Sequence, residues 1–334
     1  AAERSVSPQA HAAALNSAGN LAFHCGDFTT SRRFHARCLQ LRRELGDWKG
    51  IAGSLNNLGN ATRNAGDLGE AISLFRESLA LKREIGDRVS MASTLNNLGI
   101  ALTAQNHHEG SRELYEESLA IWREQDDKAG VAISLSNLGT YSVAVGDYER
   151  AVAYYRESLD IRRALGDKQG ISIVLSNFGE VELCRGNIPQ AREFYQESLD
   201  MRKQLQDNQG IASSLRGLGY SYLLQDDLEQ TESLLKQSLA LDTEYNNKPG
   251  IIEDLMAAAS VAHTREHHEQ AARLAGAANA LVEQTGYHPH SLTRLVYDRF
   301  LPAPHSPQED PQWQAALAEG QADPWPVINE VLNG

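Results

Sequence analysis

Apolar residues recur along this chain at three- and four-residue intervals, as at Ile51, Leu55 and Leu58 and again at Leu68, Ile72, Phe75 and Leu79. That spacing is the period of a helix with one buried stripe, and no segment alternates with the period of two that a half-buried strand requires. Turn signals stand between the stripes. AGD at 65–67, VGD at 145–147 and RGN at 185–187 each place an Asp or Asn to cap the next helix. A second set, ELGD at 44–47, EIGD at 84–87 and ALGD at 164–167, closes that helix in turn. The pattern predicts an all-α chain of helical pairs joined by tight turns.

The pairs repeat every 40 residues: LNNLG at 55–59 returns unchanged at 95–99, and the same register reads LSNLG at 135, LSNFG at 175, LRGLG at 215 and LNSAG at 15. Twelve residues after each glycine comes a small side chain (Ser31, Ala71, Ser111, Ala151, Ala191, Thr231, Ala271), and four residues further an aromatic at Phe75, Tyr115, Tyr155 and Tyr195. Seven units fit, roughly 8–46, 47–86, 87–126, 127–166, 167–206, 207–246 and 247–286, the last with Ala259 in the glycine slot. Terminal units of an array drift because one face lacks a neighbour. Asn and Gly inside a helix each cost very roughly 0.5 to 1 kcal/mol relative to Ala, so their recurrence needs a reason. For the glycine that reason is packing: without a Cβ, the facing helix comes close.

These registers resemble the tetratricopeptide repeat, whose Leu-Gly, small and aromatic positions are matched by Leu58-Gly59, Ala71 and Phe75 as they stand. The small-to-aromatic register argues against HEAT or armadillo arrays of similar period. The usual unit has about 34 residues, so six more lengthen the helices by about one and a half turns, ~9 Å. Units this long are similar to those of Pins-type adaptors, kinesin light chains, Rap-type peptide sensors and MalT-type regulators. The resemblance implies a right-handed superhelical solenoid of about seven helix pairs over 1–286, followed by a Pro-rich helical cap over 287–334. It also implies that the first helix of each pair lines a concave groove.

On that helix Asn57, Asn97, Asn137 and Asn177 recur at one register, with Asn56 and Asn96 beside the first two. A carboxamide offers donors and an acceptor, so it can hold the backbone of an extended peptide without reading its side chains. Helices pack about 8 to 10 Å apart and an extended chain advances ~3.3 Å per residue, so one Asn per unit meets roughly every third peptide residue. Pins-type, kinesin light chain and Rap-type proteins use asparagines in this way, and the match implies a similar role here. The alternative is that these amides bond the adjacent repeat. Helical phase adds Asn60, Thr140, Glu180 and Tyr220 one turn on, Arg63 and Asn64 a further turn on, and Arg216. The groove reads as polar towards its N-terminal end and more apolar towards Leu183, Leu223 and Leu224.

Composition narrows the function. With 44 acidic against 31 basic residues, the chain gives no electrostatic footprint for nucleic acid. It has no apolar run long enough to span a membrane and no signal-peptide layout at AAERSVSPQAH. Cys25, Cys38 and Cys184 form no CxxC and suit a reducing compartment, so a cytoplasmic location is expected. HExxH, the phosphate-binding GxxxxGK[ST] and GxSxG are all absent, so neither catalysis nor a cofactor is expected. Histidines gather at His107 and His108, at His263, His267 and His268, and at His288 and His290, but His107 and His267 fall at a turn register where a solvated side chain is the simpler reading over a metal ligand. Charged runs such as LKRE and DIRR fall on the second helix, as a solvated outer face does.

After Gly286 prolines crowd at 289, 302, 304, 307, 311, 324 and 326, which predicts short helices broken by turns. Leu292, Leu295, Val296, Phe300, Trp313, Leu317, Val327 and Val331 are expected to cover the exposed end of the last repeat. AARLAGAANAL at 271–281, YDR at 297–299, Trp313 with ALAEG at 316–320, and PWPVINEVL at 324–332 resemble the tail of large bacterial regulators. In those proteins an effector domain and a STAND-type ATPase precede such an array. Together with a start at Ala1, the resemblance implies a fragment whose partners are a peptide or protein in the groove and upstream domains of the same polypeptide. The competing expectation is a free-standing structural adaptor.

Overall fold

A computed structural model of the chain describes residues 7–105, 110–287, 289–301 and 311–333. His107, His108, His288, Pro302, Pro304 and Pro307 lie outside them. The described residues are helical throughout, with no strand among them: α1 (Pro8–His24), α2 (Phe28–Leu45), α3 (Trp48–Asn64), α4 (Leu68–Glu84), α5 (Arg88–Ala104), α6 (Ser111–Glu124), α7 (Lys128–Ala144), α8 (Tyr148–Leu165), α9 (Lys168–Cys184), α10 (Ile188–Leu205), α11 (Asn208–Leu223), α12 (Leu228–Glu244), α13 (Lys248–Thr264) and α14 (His268–Thr285). Beyond the repeats come α15 (Ser291–Phe300), α16 (Pro311–Ala322) and α17 (Pro324–Asn333). The chain forms two compact units, 1–141 and 142–334, whose boundary falls inside α7.

Most helices begin on a capping carboxylate, although Asn187, expected to cap α10, makes no cap bond and donates to Glu182 instead. Asp27, Asp47, Asp67 and Asp87 in the first unit, and Asp147, Asp167, Asp207 and Asp227 in the second, accept the backbone N–H three residues on. That satisfies one of the donors a helix start leaves open. Helices end in a left-handed residue that recurs at a 20-residue interval, as at Gly46 (φ 65°) and Gly66 (φ 97°); Asp126, Gln206, Asp226, Asn246 and Glu266 adopt it without being glycine.

The helix-interior glycines seat a ring. A Cβ on Gly59 would stand 2.7 Å from the Phe75 ring, one on Gly99 2.6 Å from Tyr115, and one on Gly179 2.8 Å from Tyr195. In the first pair the ring is His35, 1% exposed and 2.7 Å from the same point on Gly19. Burial, with the Arg42 charge acting in the same direction, pulls its imidazole down to about 4.

Successive pairs are tied by a cation at another register. Arg42 Nη1 donates to the Gly50 carbonyl (2.7 Å) and Ser54 Oγ (3.0 Å), Lys82 Nζ to the Ser90 carbonyl (2.9 Å) and Thr94 Oγ1 (2.6 Å), and Arg202 Nη1 to the Gly210 carbonyl (2.6 Å) and Ser214 Oγ (2.9 Å). Each reaches from a second helix to the first turn of the next pair, where buried carbonyl and hydroxyl oxygens need a donor. At the C-terminal end α16 lies against α14, with Gly276 and Gly320 leaving room for the carbonyls of Leu317 and Arg273. Trp313, Val327 and Ile328 join Leu274 and Leu281 in that core.

Candidate ligand-binding face

In the first unit the predicted asparagines form a chain of amides across α1, α3 and α5. Asn57 Nδ2 donates to Asn16 Oδ1 (3.0 Å), Asn97 Nδ2 donates to Asn56 Oδ1 (3.1 Å), and Thr94 Oγ1 donates to the same oxygen (3.0 Å). Asn56 Nδ2 joins the two rungs through Asn57 Oδ1 at 3.4 Å. The rule is regular: an amide of one pair donates to the amide 41 residues earlier. Sequence reasoning left out Asn16, although it stands at the register of Asn56 one period back.

The third rung is open. Asn96 is buried rather than on an exposed face, because its Nδ2 donates to Ser134 Oγ at 3.0 Å. Its Oδ1 and the Nδ2 of Asn137 are left without partners, as are Asn60 Oδ1 and Arg63 Nη1. Arg63 is partly buried, and desolvation, opposed by Tyr115, lowers its guanidinium from its usual value. Asn64 donates to the Asn60 carbonyl of its own helix at 2.9 Å. Thr140 is exposed on α7. Nine predicted residues therefore share this unit, most of them holding one another, with four buried polar atoms unmet. Such atoms cost free energy until something bonds them.

The remaining four, Asn177, Glu180, Arg216 and Tyr220, lie in the second unit. Asn177 and Glu180 are partly buried on α9. Arg216 corrects the expectation of a groove residue, since its guanidinium is enclosed by carboxylates, whereas Tyr220 is buried on the first-helix face beneath α15. Arg216 Nε pairs with Asp254 (2.7 Å), Nη1 with Glu253 (2.8 Å) and Nη2 with Asp242. A guanidinium is tolerated there because three carboxylates surround it. Burial alone would weaken its proton, but Asp254, Glu253 and Asp242 raise it well above its usual range. Burial lifts the Asp254 carboxyl to about 8 despite Arg216, and it lifts Asp242 as well. Glu253 is pushed up by burial but ends below its usual value under His290, Arg216, the Tyr287 hydroxyl and the His290 N–H. Glu180 is raised by burial against the opposing His290. Tyr220 donates to or accepts from Thr293 Oγ1 at 3.0 Å, beneath α15.

His263 faces His268, with ring nitrogens 3.4 Å apart. Among the described residues no three His, Cys, Asp or Glu side chains converge as metal ligands, and no helix is long and apolar enough to cross a membrane.

A tetratricopeptide repeat family model matches residues 10–84, 90–164 and 130–204, more than half of the chain. Among solved structures, the Rap conjugation gene regulator of a plasmid, in complex with a Phr peptide, is similar at 15% identity over 89% of this chain and 78% of that one, TM-score 0.66. The apo form of RapI is similar at 14% identity over 86% and 99%, TM-score 0.62. A STAND protein with a tetratricopeptide repeat sensor from Pyrococcus horikoshii is similar at 15% identity over 98% of this chain, TM-score 0.58, and the chain spans 51% of its length. At these identities the likeness is one of fold. No curated protein sequence matches.

Proposed function

The chain belongs to the tetratricopeptide repeat family, and from that premise we propose that its first helices bind a peptide or protein segment without catalysis, as the ligand-sensing arm of a larger cytoplasmic signal-transduction or transcriptional regulator. The observation that carries this reading is the open rung. Asn96 Oδ1 and Asn137 Nδ2, an acceptor and a donor with neither partner nor exposure in this structure, would meet the N–H and C=O of an extended peptide once the two amides turn outward. Asn60 Oδ1 and Arg63 Nη1, likewise without partners, extend the same preference to a ligand with a backbone donor and a carboxylate. The Rap structure held with a peptide supports the binding mode, and the STAND protein supports the larger setting.

The test is calorimetric titration with a peptide selected from a random extended library. Asn97→Ala with Asn137→Ala is expected to weaken it by on the order of 1 to 3 kcal/mol, the cost of two lost hydrogen bonds, with circular dichroism unchanged. Equal affinity for both proteins removes the ladder from the binding role. ATP hydrolysis by this chain is expected to be nil, and the coding sequence upstream of Ala1 is expected to encode an ATPase domain.

A further inference from the structure

The helix α15 does not sit where an end cap sits. It packs on α13 and α9, and Thr293 bonds Tyr220 of α11 between them. A cap on the last pair can reach only that pair, whereas α15 crosses the first helices of three successive pairs. α16 and α17 already cover α14. Leu292 and Val296, 4% and 1% exposed, enter the core of Tyr220, Leu223, Ala257 and Val261, and Phe300 packs against it. Those positions are i, i+4 and i+8, one stripe of a helix. Arg294, Leu295, Asp298 and Arg299 on the other side are exposed. At its N-terminal end the Tyr287 hydroxyl (2.7 Å) and the His290 N–H (3.3 Å) both donate to Glu253 Oε1, so the positive end of the helix rests on a carboxylate.

We infer that α15 is a self-ligand: the first-helix face of residues 142–334 is a seat for an amphipathic helix, and the chain's own helix fills it until another displaces it. The inference rests on the reading that the first helices carry ligands. The incoming helix carries aliphatic residues at i and i+4, an aromatic at i+8 and a hydroxyl at i+1, and enters with its N-terminal end over Glu253. Two features make α15 releasable. It is 10 residues long, and a helix that short is marginal in water away from its packing partner, so it owes its form to the seat. The link from α14 is short, 286–290, which holds α15 at an effective concentration on the order of mM, so a free helix must compete with it.

The test uses the full chain and a fluorescein-labelled peptide of residues 289–301, read by anisotropy. Wild type is expected to bind it weakly. Leu292→Asp with Val296→Asp puts two carboxylates into the apolar seat and undocks α15, so the peptide should bind at least about tenfold tighter as the occupied fraction falls. A peptide carrying the same two changes should not bind. If circular dichroism shows that the double variant has lost its helices, Thr293→Val, which removes only the Tyr220 bond, carries the test with a several-fold gain expected. No gain in any folded variant overturns the inference. The Asn face of residues 7–141 is tested separately: a ligand sensitive to Asn97→Ala with Asn137→Ala, beside an opened variant that ignores the α15 peptide, sinks the self-ligand alone. A gain with the α15 peptide and no ligand for the Asn face sinks the other reading alone.

Discussion

His35 gives the first pair a built-in acid sensitivity, because it stands where the next four pairs carry Phe75, Tyr115, Tyr155 and Tyr195. Its ring fills the seat that Phe75 fills in the next pair, with no room for a proton's hydration shell, and its imidazole is held near 4 against an ordinary value of 6.5. The folded state therefore resists protonation while the unfolded state accepts it. A His with a depressed folded pKa contributes stability that is present above 6.5 and lost as pH falls towards 4. Between pH 7 and pH 5 those two values give a loss of about 2 kcal/mol, which is about a twentyfold drop in protection for amides that exchange by opening of this pair. His35→Phe should remove it, because Phe75 shows that a phenyl ring fits against the glycine with no exposure. The assay is hydrogen exchange of α1 and α2 in the full chain at pH 7 and 5, corrected for intrinsic rates, for wild type and variant. An acid loss of equal size in His35→Phe refutes the assignment, because Asp27 and Asp87, both lowered from 3.8, stay ionised over this range and the loss then belongs to another group.

Gly99→Val is expected to destabilise the first unit by about 3 kcal/mol, since even a Cβ would stand 2.6 Å from Tyr115; thermal melts report it. Arg216→Met leaves Asp242, Glu253 and Asp254 buried without their cation and is expected to cost about 3 to 5 kcal/mol, read from denaturant unfolding of the second unit.

The helices, their period and the use of the glycine are legible in the sequence because each depends on spacing within one pair. The capping Asp residues are legible for the same reason. Asn96 and Asn97 are adjacent, about 100° apart on one helix, and which of them turns inward is decided by Ser134 in the next pair. A single helix does not carry that information. Arg216 looked like a groove residue because helical phase places it near Asn57's register, yet a signal was present. The register that holds Arg42, Lys82, Arg162 and Arg202 holds Asp242 at its sixth step, and a reversed charge there calls for a cation from elsewhere. The stripe of α15 announced that it buries Leu292 and Val296 but not against which helices, and Leu295, expected to be covered, is 41% exposed. The boundary at 141/142 has no mark in composition, since α7 runs through it.

The reversed charge also bears on how such an array can change length over generations. Arg42, Lys82 and Arg202 each offer the same plug to whatever first helix follows, provided it brings a carbonyl and a hydroxyl at the matching positions. Unequal crossing-over in steps of 40 residues can therefore add or delete such a block and still leave a satisfied junction. The junction at Asp242 admits no such exchange: a generic helix with Ser or Thr in place of Asp254 would strand Arg216 and Asp242 with an incomplete shell. Recombination is therefore expected to alter the count of repeats upstream, while α11 to α13, bound together by Arg216, Asp242, Glu253 and Asp254, are expected to move as one block.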